Sequence, residues 1–214
     1  MGTAKQKEGN RKLTKAEQKR KEQFEITKAQ MEAKGYIAED LTIGIGYANV
    51  MAFVLGLPII AILGFCFFTK NPNGIVNFGA FTGLIIIVGF LALVFVHEFI
   101  HGLFWSVFAE KHWKSISFGF MAKYLTPYCT CNEILRKGEY ITGGLMPTVI
   151  LGIIPAIAAI FTGSYLVFII AALMILSGGG DMAIVLQMMR FKPAGKEVFY
   201  IDHPYLAGMV AFVR

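Results

Sequence analysis

A His-Glu-x-x-His motif lies inside one of the most apolar stretches of the chain. The stretch reads FVHEFIHGLFW and contributes His97, Glu98 and His101. On a helix, side chains four residues apart share one face, so both imidazoles can bind one metal ion while Glu98 lies one residue further round. Ionisable groups at membrane depth are costly to bury and are functional candidates by default. The motif predicts a metal centre; two structural histidines bonded to backbone carbonyls are the alternative.

A catalytic zinc ion has three protein ligands and a water, so a third ligand has to come from another part of the chain. Apart from Glu98, Asp181 is the only acidic residue in the long apolar segments, where it ends the run SGGGD. His97 and Asp181 lie roughly 16 and 14 Å from the ends of their segments at 1.5 Å per residue. The two side chains can therefore meet at one level. Asp181 is the candidate third ligand, and a carboxylate with a purely structural partner is the alternative.

The composition is that of an integral membrane protein. Of 214 residues, 56% are apolar and 16% charged, and the mean hydropathy is +0.60. Each of four apolar segments is long enough to cross about 30 Å of hydrocarbon. We therefore predict an all-α integral membrane protein with about four transmembrane helices. The segments span residues 47–69, 78–108, 141–161 and 164–189, and the third, with two prolines and three glycines, is expected to be kinked or broken.

Positive charge is concentrated in the segments that connect or flank the apolar ones. Ten of the 20 Lys and Arg precede residue 41, five lie in residues 109–140 and four follow from Arg190 onwards. The other two connections hold one such residue between them. By the positive-inside rule, both termini and the 109–140 loop lie on the cytoplasmic side of the cell membrane. The lysines are expected to face anionic lipid, and nothing in their arrangement indicates nucleic acid.

The 109–140 loop contains an alternating pattern, in which Phe118 and Phe120 are separated by Gly119. Alternation of this kind predicts a short β-strand or β-hairpin at the membrane surface, and an ordinary amphipathic connector is the alternative. Such a strand could hold an extended peptide by edge pairing. Phe118 and Phe120 are therefore candidate substrate-binding residues.

Residues 1–40 form a charged N-terminal arm that we expect to be helical. Thr14 and Glu17 have the spacing of a capping box, and Gly35 is a plausible helix stop. We interpret this arm as a solvated cytoplasmic segment that sets topology. Residues 41–214 are then the membrane-embedded domain.

Several further polar residues could support a site or only the structure. Cys129 and Cys131 could form a second metal site with His112, although packing is the favoured role, since a CxC pair alone is a weak pattern. Glu133 is the acid nearest to the cysteines, and solvated surface is its favoured position. The run Asp202-His203-Pro204 is expected to form a turn in the tail.

The chain resembles site-2 protease type intramembrane zinc metalloproteases, and in particular a family of membrane proteins described as zincin peptidases. The resemblance rests on HEFIH, on YCTCNEIL followed by GGLMPTVILGIIP, on SGGGD and on the terminal IDHP. It implies zinc bound by His97, His101 and Asp181, with Glu98 as general base. It also implies a substrate-positioning role near Pro147, although no asparagine follows that proline here.

We therefore expect a zinc metalloendopeptidase that hydrolyses peptide bonds of membrane-protein or peptide substrates at the level of the bilayer. Zinc would activate a water and polarise the scissile carbonyl, while Glu98 would carry the proton to the leaving amine. A metal-binding transporter or sensor is one alternative, and a catalytically silent membrane scaffold is another.

Overall fold

The computed structural model describes residues 13–72, 79, 81–121, 126–194 and 197–214. It is mainly helical. Seven helices occur in this described part, namely α1 Lys15–Ala33, α2 Ile45–Lys70, α3 Thr82–Phe108, α4 Lys137–Thr148, α5 Ile154–Thr162, α6 Tyr165–Ser177 and α7 Gly179–Arg190. A short 3₁₀ turn, His112–Ser115, follows α3, and a π-helical segment, Val149–Ile153, joins α4 to α5.

Three helical spans in the described chain are long and apolar enough to cross a membrane. They are α2, α3 and the continuous span Lys137–Thr162; a fourth results if α6 and α7, which meet at a 42° bend, count as one. The four predicted apolar segments correspond to these elements, although residue 78, where the second was placed to begin, lies outside the described residues. Large side chains on α3 such as Ile87 and Phe95 are 59% and 63% exposed, as expected for contact with lipid.

In the third segment, the π-helical stretch Val149–Ile153 interrupts the α-helix, while Lys137–Thr162 remains one continuous helical span. Gly152 lies in this segment, where a Cβ would come within 2.6 Å of the Ile175 side chain on α6. A π-bulge adds a residue to the turn and bends the helix without leaving backbone groups unbonded in lipid. Gly152 thus allows α6 to approach the π-helical segment closely.

The described part of the N-terminal arm is helical over Lys15–Ala33, as predicted, and this helix begins with a complete capping box. The Thr14 amide donates to the Glu17 carboxylate at 2.8 Å, and the Glu17 amide donates to Thr14 Oγ1 at 3.3 Å. The helix ends at Ala33, just before Gly35, whose φ of +84° favours glycine. Helix α1 does not stand free, because Met31 and Phe24 pack against strands formed by the C-terminal tail.

The 109–140 loop forms the predicted hairpin. Strands β2 (Ile116–Met121) and β3 (Thr126–Cys131) pair antiparallel, with Phe118 opposite Cys129 and Gly119 opposite Tyr128. The hairpin packs onto α3 at Gly102, where a Cβ would lie 2.8 Å from the Phe118 ring. The glycine that follows the second histidine of the motif therefore gives the hairpin a place beside the metal-binding helix.

The prediction of an all-α protein was wrong in one respect, since the chain also forms a four-stranded sheet. Its order is β1-β6-β5-β4 and every pair is antiparallel. Strand β6 is buried along its whole length, because α1 covers one face and the helix ends and hairpin cover the other. A strand buried on both faces shows no alternation in its sequence. The strands are β1 Ile37–Asp40, β4 Leu135–Arg136, β5 Val198–Asp202 and β6 Met209–Val213.

The sheet and hairpin join the helices at one end of the molecule. Strand β1 leads into α2, the hairpin follows α3, β4 leads into α4, and β5 follows α7. Cys131 on the hairpin also donates its amide to Asp202 at the end of β5, at 2.7 Å. Strands β1 and β6, near the two ends of the described chain, and the hairpin strands therefore pack together at this end of the molecule.

Candidate metal centre

Helix α3 presents both imidazoles of the motif on its inner face. His97 and His101 are each 3% exposed, and their Nε2 atoms lie 3.1 Å apart. Burying two polar rings one turn apart in so apolar a helix costs free energy unless both rings bind a partner. The pairing of their Nε2 atoms is the geometry that the four-residue spacing predicted.

Asp181 reaches these two rings from a different part of the chain. It lies in the first turn of α7, directly after the bend from α6, and its Oδ2 is 3.1 Å from His97 Nε2 and 3.4 Å from His101 Nε2. The potential ligand atoms of the three residues all lie within 4.8 Å of one another. The structure thus brings together the three residues predicted to meet at one depth.

The separations suit a tetrahedral zinc ion. Ligands about 2.0–2.1 Å from zinc in tetrahedral geometry lie about 3.3–3.4 Å from each other, close to the three separations measured here. The His101 ring is held in the matching tautomer, because its Nδ1 lies 2.8 Å from the Gly143 carbonyl, which can only accept. A proton on Nδ1 leaves the Nε2 lone pair directed at the other two ligands. His97 Nδ1 is buried and has no hydrogen-bond partner within the described chain, so packing orients that ring.

Gly143 on α4 has no side chain, so its carbonyl can approach the His101 ring. The Trp105 ring stacks on His101 with centroids 5.0 Å apart, and its Nε1 donates to the Tyr140 carbonyl at 3.3 Å. A Cβ on Gly143 would overlap the Trp105 ring. Any larger residue at this position would therefore push α4 away from the indole and take the Gly143 carbonyl from His101.

The glycines before Asp181 have two separate roles. A Cβ on Gly178 would overlap Thr148, and one on Gly179 would overlap the Ala52 backbone, so both permit close packing of α7. Two of the three glycines in the run SGGGD therefore allow close helix approach. A Cβ on Gly180 would meet nothing within 4 Å, because Gly180 faces a cavity.

That cavity has a volume of about 630 Å³ and contains the metal corner, a name used here for His97, His101 and Asp181. Glu98 lines it as well, beside the three potential ligands, as expected for a general base in this motif. The walls come from the long apolar helices, from β3, from the turn after β5 and from α1, which contributes Glu17 and Arg20. A cavity of this size can hold several residues of an extended peptide.

A second, shallower groove of about 500 Å³ lies between α3 and the hairpin. Glu98 lines this groove too, so the groove and the cavity adjoin at that carboxylate. The candidate substrate-binding residues Phe118 and Phe120 belong to it and are 51% and 53% exposed. Pro147 differs from them, because it is fully buried inside α4 and lines neither space. A direct substrate contact at Pro147 is therefore not supported, and its place is structural.

Two functional-looking residues were not singled out by their sequence pattern. Asp202, expected in a turn, ends β5 and accepts hydrogen bonds from the Tyr140 hydroxyl and the Cys131 amide. Burial raises the pKa of this carboxyl to about 6. Arg20, expected on a solvated arm, is 7% exposed and bonds to the hairpin. In each case the partners come from distant segments, so no local spacing signals the contact.

The other polar candidates take structural places. His112 Nδ1 lies 2.9 Å from the Ser106 carbonyl, and burial raises the pKa of the Cys131 thiol to about 12. Among the described residues, only His97, His101 and Asp181 form a group with metal-binding geometry. Glu133 pairs with Lys111 at 3.6 Å away from the cavity, while His203 Nδ1 accepts the Leu206 amide and forms the expected turn.

Comparison with known proteins agrees with this site. No curated protein and no solved structure matches the chain. Residues 90–195, which include the motif, the hairpin and Asp181, match a family model described as "Putative zincin peptidase". Zincins are metallopeptidases in which a His-Glu-x-x-His helix binds zinc. The match and the clustered donor atoms together support the zincin-like metallopeptidase family for this chain.

Proposed function

We propose that the protein is a zinc-dependent endopeptidase that cleaves membrane proteins within or beside the bilayer, in the manner of site-2 proteases. The observation that carries the proposal is the convergence of three donor atoms from α3 and α7 on one buried point. Glu98 is the next residue after the first ligand and lines the same cavity. A structural metal would need no base there, whereas hydrolysis does.

The three potential ligands would hold zinc, and Glu98 would carry the proton. When bound, zinc lowers the pKa of a coordinated water to about 7 and polarises the scissile carbonyl. Glu98 accepts a proton from the attacking water on its carboxylate and delivers it to the leaving amine. The buried walls around the corner exclude bulk water and strengthen these electrostatic interactions.

The groove beside Glu98 would receive the substrate. A transmembrane helix hides its carbonyls in internal hydrogen bonds, so a segment has to become extended before attack. Strand β2 is an edge strand of the two-stranded sheet, and its Phe118 and Phe120 rings face the groove. Edge pairing would supply backbone hydrogen bonds to the extended segment, and the rings would bind its apolar side chains.

Proline at residue 120 tests this edge. In β2 the odd-numbered residues bond to β3, because Gly119 lies opposite Tyr128 and the Asn132 amide donates to Ser115 at 2.8 Å. The amide of Phe120 therefore points away from β3. Phe120→Pro removes an outward donor, and Phe120→Ala controls for the ring. Slower cleavage by the proline variant alone supports edge pairing, whereas equal rates contradict it.

The membrane proposal includes an orientation. We propose that both termini and the 109–140 loop face the cytoplasm, and the concentration of Lys and Arg in these segments supports this orientation. We also propose that residues 1–40 and 41–214 are two parts of the chain, a charged arm and a membrane-embedded domain. The two parts are in contact, because α1 and β1 pack against the C-terminal strands.

Replacement of Glu98 tests the reaction itself. The probe is a fluorogenic transmembrane peptide of leucine and alanine with a central Gly-Ser pair, reconstituted with the protein in vesicles. Glu98→Gln should keep zinc and lower cleavage by at least about a hundredfold, the lower range for loss of a general base. Glu133→Gln, on an acid that pairs with Lys111, is the matched control and should cleave normally. Normal cleavage by Glu98→Gln would contradict the mechanism.

A further inference from the structure

Two charged side chains of α1 are buried where a solvated arm would leave them in water. Glu17 is 4% exposed and Arg20 is 7% exposed, and both line the cavity that holds the metal corner. Lys and Arg side chains are almost never fully buried unless they are paired. The neighbouring Lys19 and Lys21 are exposed, so burial selects one face of the helix.

Arg20 connects two separate parts of the cavity rim. Its Nε donates to the Pro204 carbonyl at 3.0 Å, and its Nη2 donates to the Tyr128 hydroxyl at 2.7 Å. The guanidinium also lies over the Tyr128 ring, 5.1 Å from its centroid. Pro204 belongs to the turn after β5 and Tyr128 to β3, so one side chain ties α1 to both.

The rest of α1 is held to the sheet. Met31, 3% exposed, packs with Ile201, Val210 and Phe212, and Phe24 lies against the same cluster. The C-terminal half of the helix is therefore anchored by apolar contacts. Its N-terminal half carries Glu17 and Arg20, which line the cavity beside the Tyr128 and Pro204 contacts.

We propose that Arg20 determines which substrates reach the metal corner, by holding α1 across the aqueous mouth of the cavity. With this mouth closed, water-soluble peptides are excluded, and the remaining approach is lateral, through the groove where Phe118 and Phe120 meet Glu98. The substrate class is then an apolar segment delivered from the bilayer. The role in substrate choice rests on the proposed peptidase activity, but the closure itself does not.

Thiol labelling measures the closure without any proteolysis. Gly180→Cys places a thiol in the cavity, since a Cβ there meets nothing within 4 Å. The Cys66→Ser background removes the exposed thiol, and the two other cysteines are buried with raised pKa values, so they react slowly. The probe is a small cationic methanethiosulfonate added to the full-length protein in detergent micelles.

Arg20→Ala should raise the labelling rate of this cysteine by about tenfold or more, because it removes two hydrogen bonds to a charged group. Lys19→Ala, one residue away on the exposed face, is the matched control and should leave the rate unchanged. Tyr128→Phe removes one of the two acceptors and should give a smaller rise in the same direction. Equal rates for Arg20→Ala and Lys19→Ala would overturn the closure, and Tyr128→Phe decides the question if Arg20→Ala does not fold.

Cleavage assays then test substrate choice. The probes are an unstructured fluorogenic peptide in solution and the transmembrane peptide in vesicles. Arg20→Ala should raise the ratio of soluble to transmembrane cleavage by about tenfold, matching the labelling. An unchanged ratio with faster labelling would overturn the specificity role. If Arg20→Ala is labelled faster, but neither the wild type nor the variant cleaves either peptide, the peptidase proposal is overturned. The closure of the cavity by α1 is then still confirmed.

Discussion

We use the name cap for α1 together with the four-stranded sheet. The metal corner and the cap both bury ionisable groups, but these groups point in different directions. In the metal corner, two imidazoles and a carboxylate direct lone pairs at one point, with separations of 3.1–3.4 Å. In the cap, Arg20 donates outward to two different elements and holds them together. Convergent acceptors require a cation between them, whereas a donor bridging two acceptors is already satisfied. The comparison teaches that burial of charge marks a metal site only where the lone pairs converge.

The two regions also differ in how they are packed. The metal corner depends on glycines, because Gly143, Gly178 and Gly179 each lie where a Cβ would overlap a neighbour. The cap depends on large apolar side chains such as Met31 and Phe212. Substitutions in the metal corner should therefore act by overpacking, and those in the cap by loss of contacts.

The largest effect on stability is expected from Gly143→Ala. The new methyl group would overlap the buried Trp105 ring, so the variant should lose about 3 kcal/mol and bind zinc less tightly as the Gly143 carbonyl leaves His101. Thermal unfolding in micelles and zinc titration measure the two effects. Gly138→Ala, on the same helix with nothing within 4 Å of its Cβ, is the control and should be neutral or slightly stabilising. A Gly143→Ala protein with normal zinc affinity would show that the carbonyl contact is dispensable.

A smaller effect on stability is expected from the titration of Asp202, which joins the cap to the hairpin. Burial raises the pKa of this carboxyl to about 6 in the folded protein, from an ordinary value near 4 when unfolded. Between these values the folded state binds more protons, so stability should fall by about 2 kcal/mol as pH rises from 4 to 6, and then stay constant. Asp202→Asn should lack this component. The wild-type minus variant difference in unfolding free energy measures it, and a difference that rises with pH would contradict the assignment.

The smallest effect is expected at the start of α1. Thr14→Ala removes the capping box, which should cost about 1 kcal/mol and fray the first turn near Glu17. Hydrogen exchange of the α1 amides should increase in this turn and remain slow near Met31, where the cap is packed. Thr27→Ala, whose exposed hydroxyl bonds only to the Gln23 carbonyl four residues earlier among the described contacts, is the control. Faster exchange along the whole helix would indicate that the cap is held by α1's first turn and not by its apolar half.

The sequence was informative wherever a pattern is local. His97 and His101 follow from a four-residue spacing, the apolar spans from their length, and the hairpin from the alternation around Phe118. Asp181 could be selected because so few acids occur in the apolar segments. The meeting of α3 and α7 then required only that both residues lie at similar depth.

Contacts between segments that are far apart in the chain could not be predicted from the sequence. Strand β6 pairs with β1, more than 160 residues earlier, and its five buried residues look like an ordinary apolar tail. The burial of Arg20 depends on Tyr128 and Pro204, which no spacing connects to it. A highly charged helix gives little amphipathic signal when two of the three buried residues on its inner face, Glu17 and Arg20, are themselves charged.

Zinc content tests the central claim most directly, with the partly buried Asp181 and Asp202 as a matched pair. The purified protein should hold about one zinc per chain, as expected for three ligands on one ion. Asp181→Ala should lose most of this zinc, while Asp202→Ala, which alters a carboxylate bonded to Tyr140 and Cys131, should retain it. Zinc that stays at the wild-type level in Asp181→Ala would contradict the account.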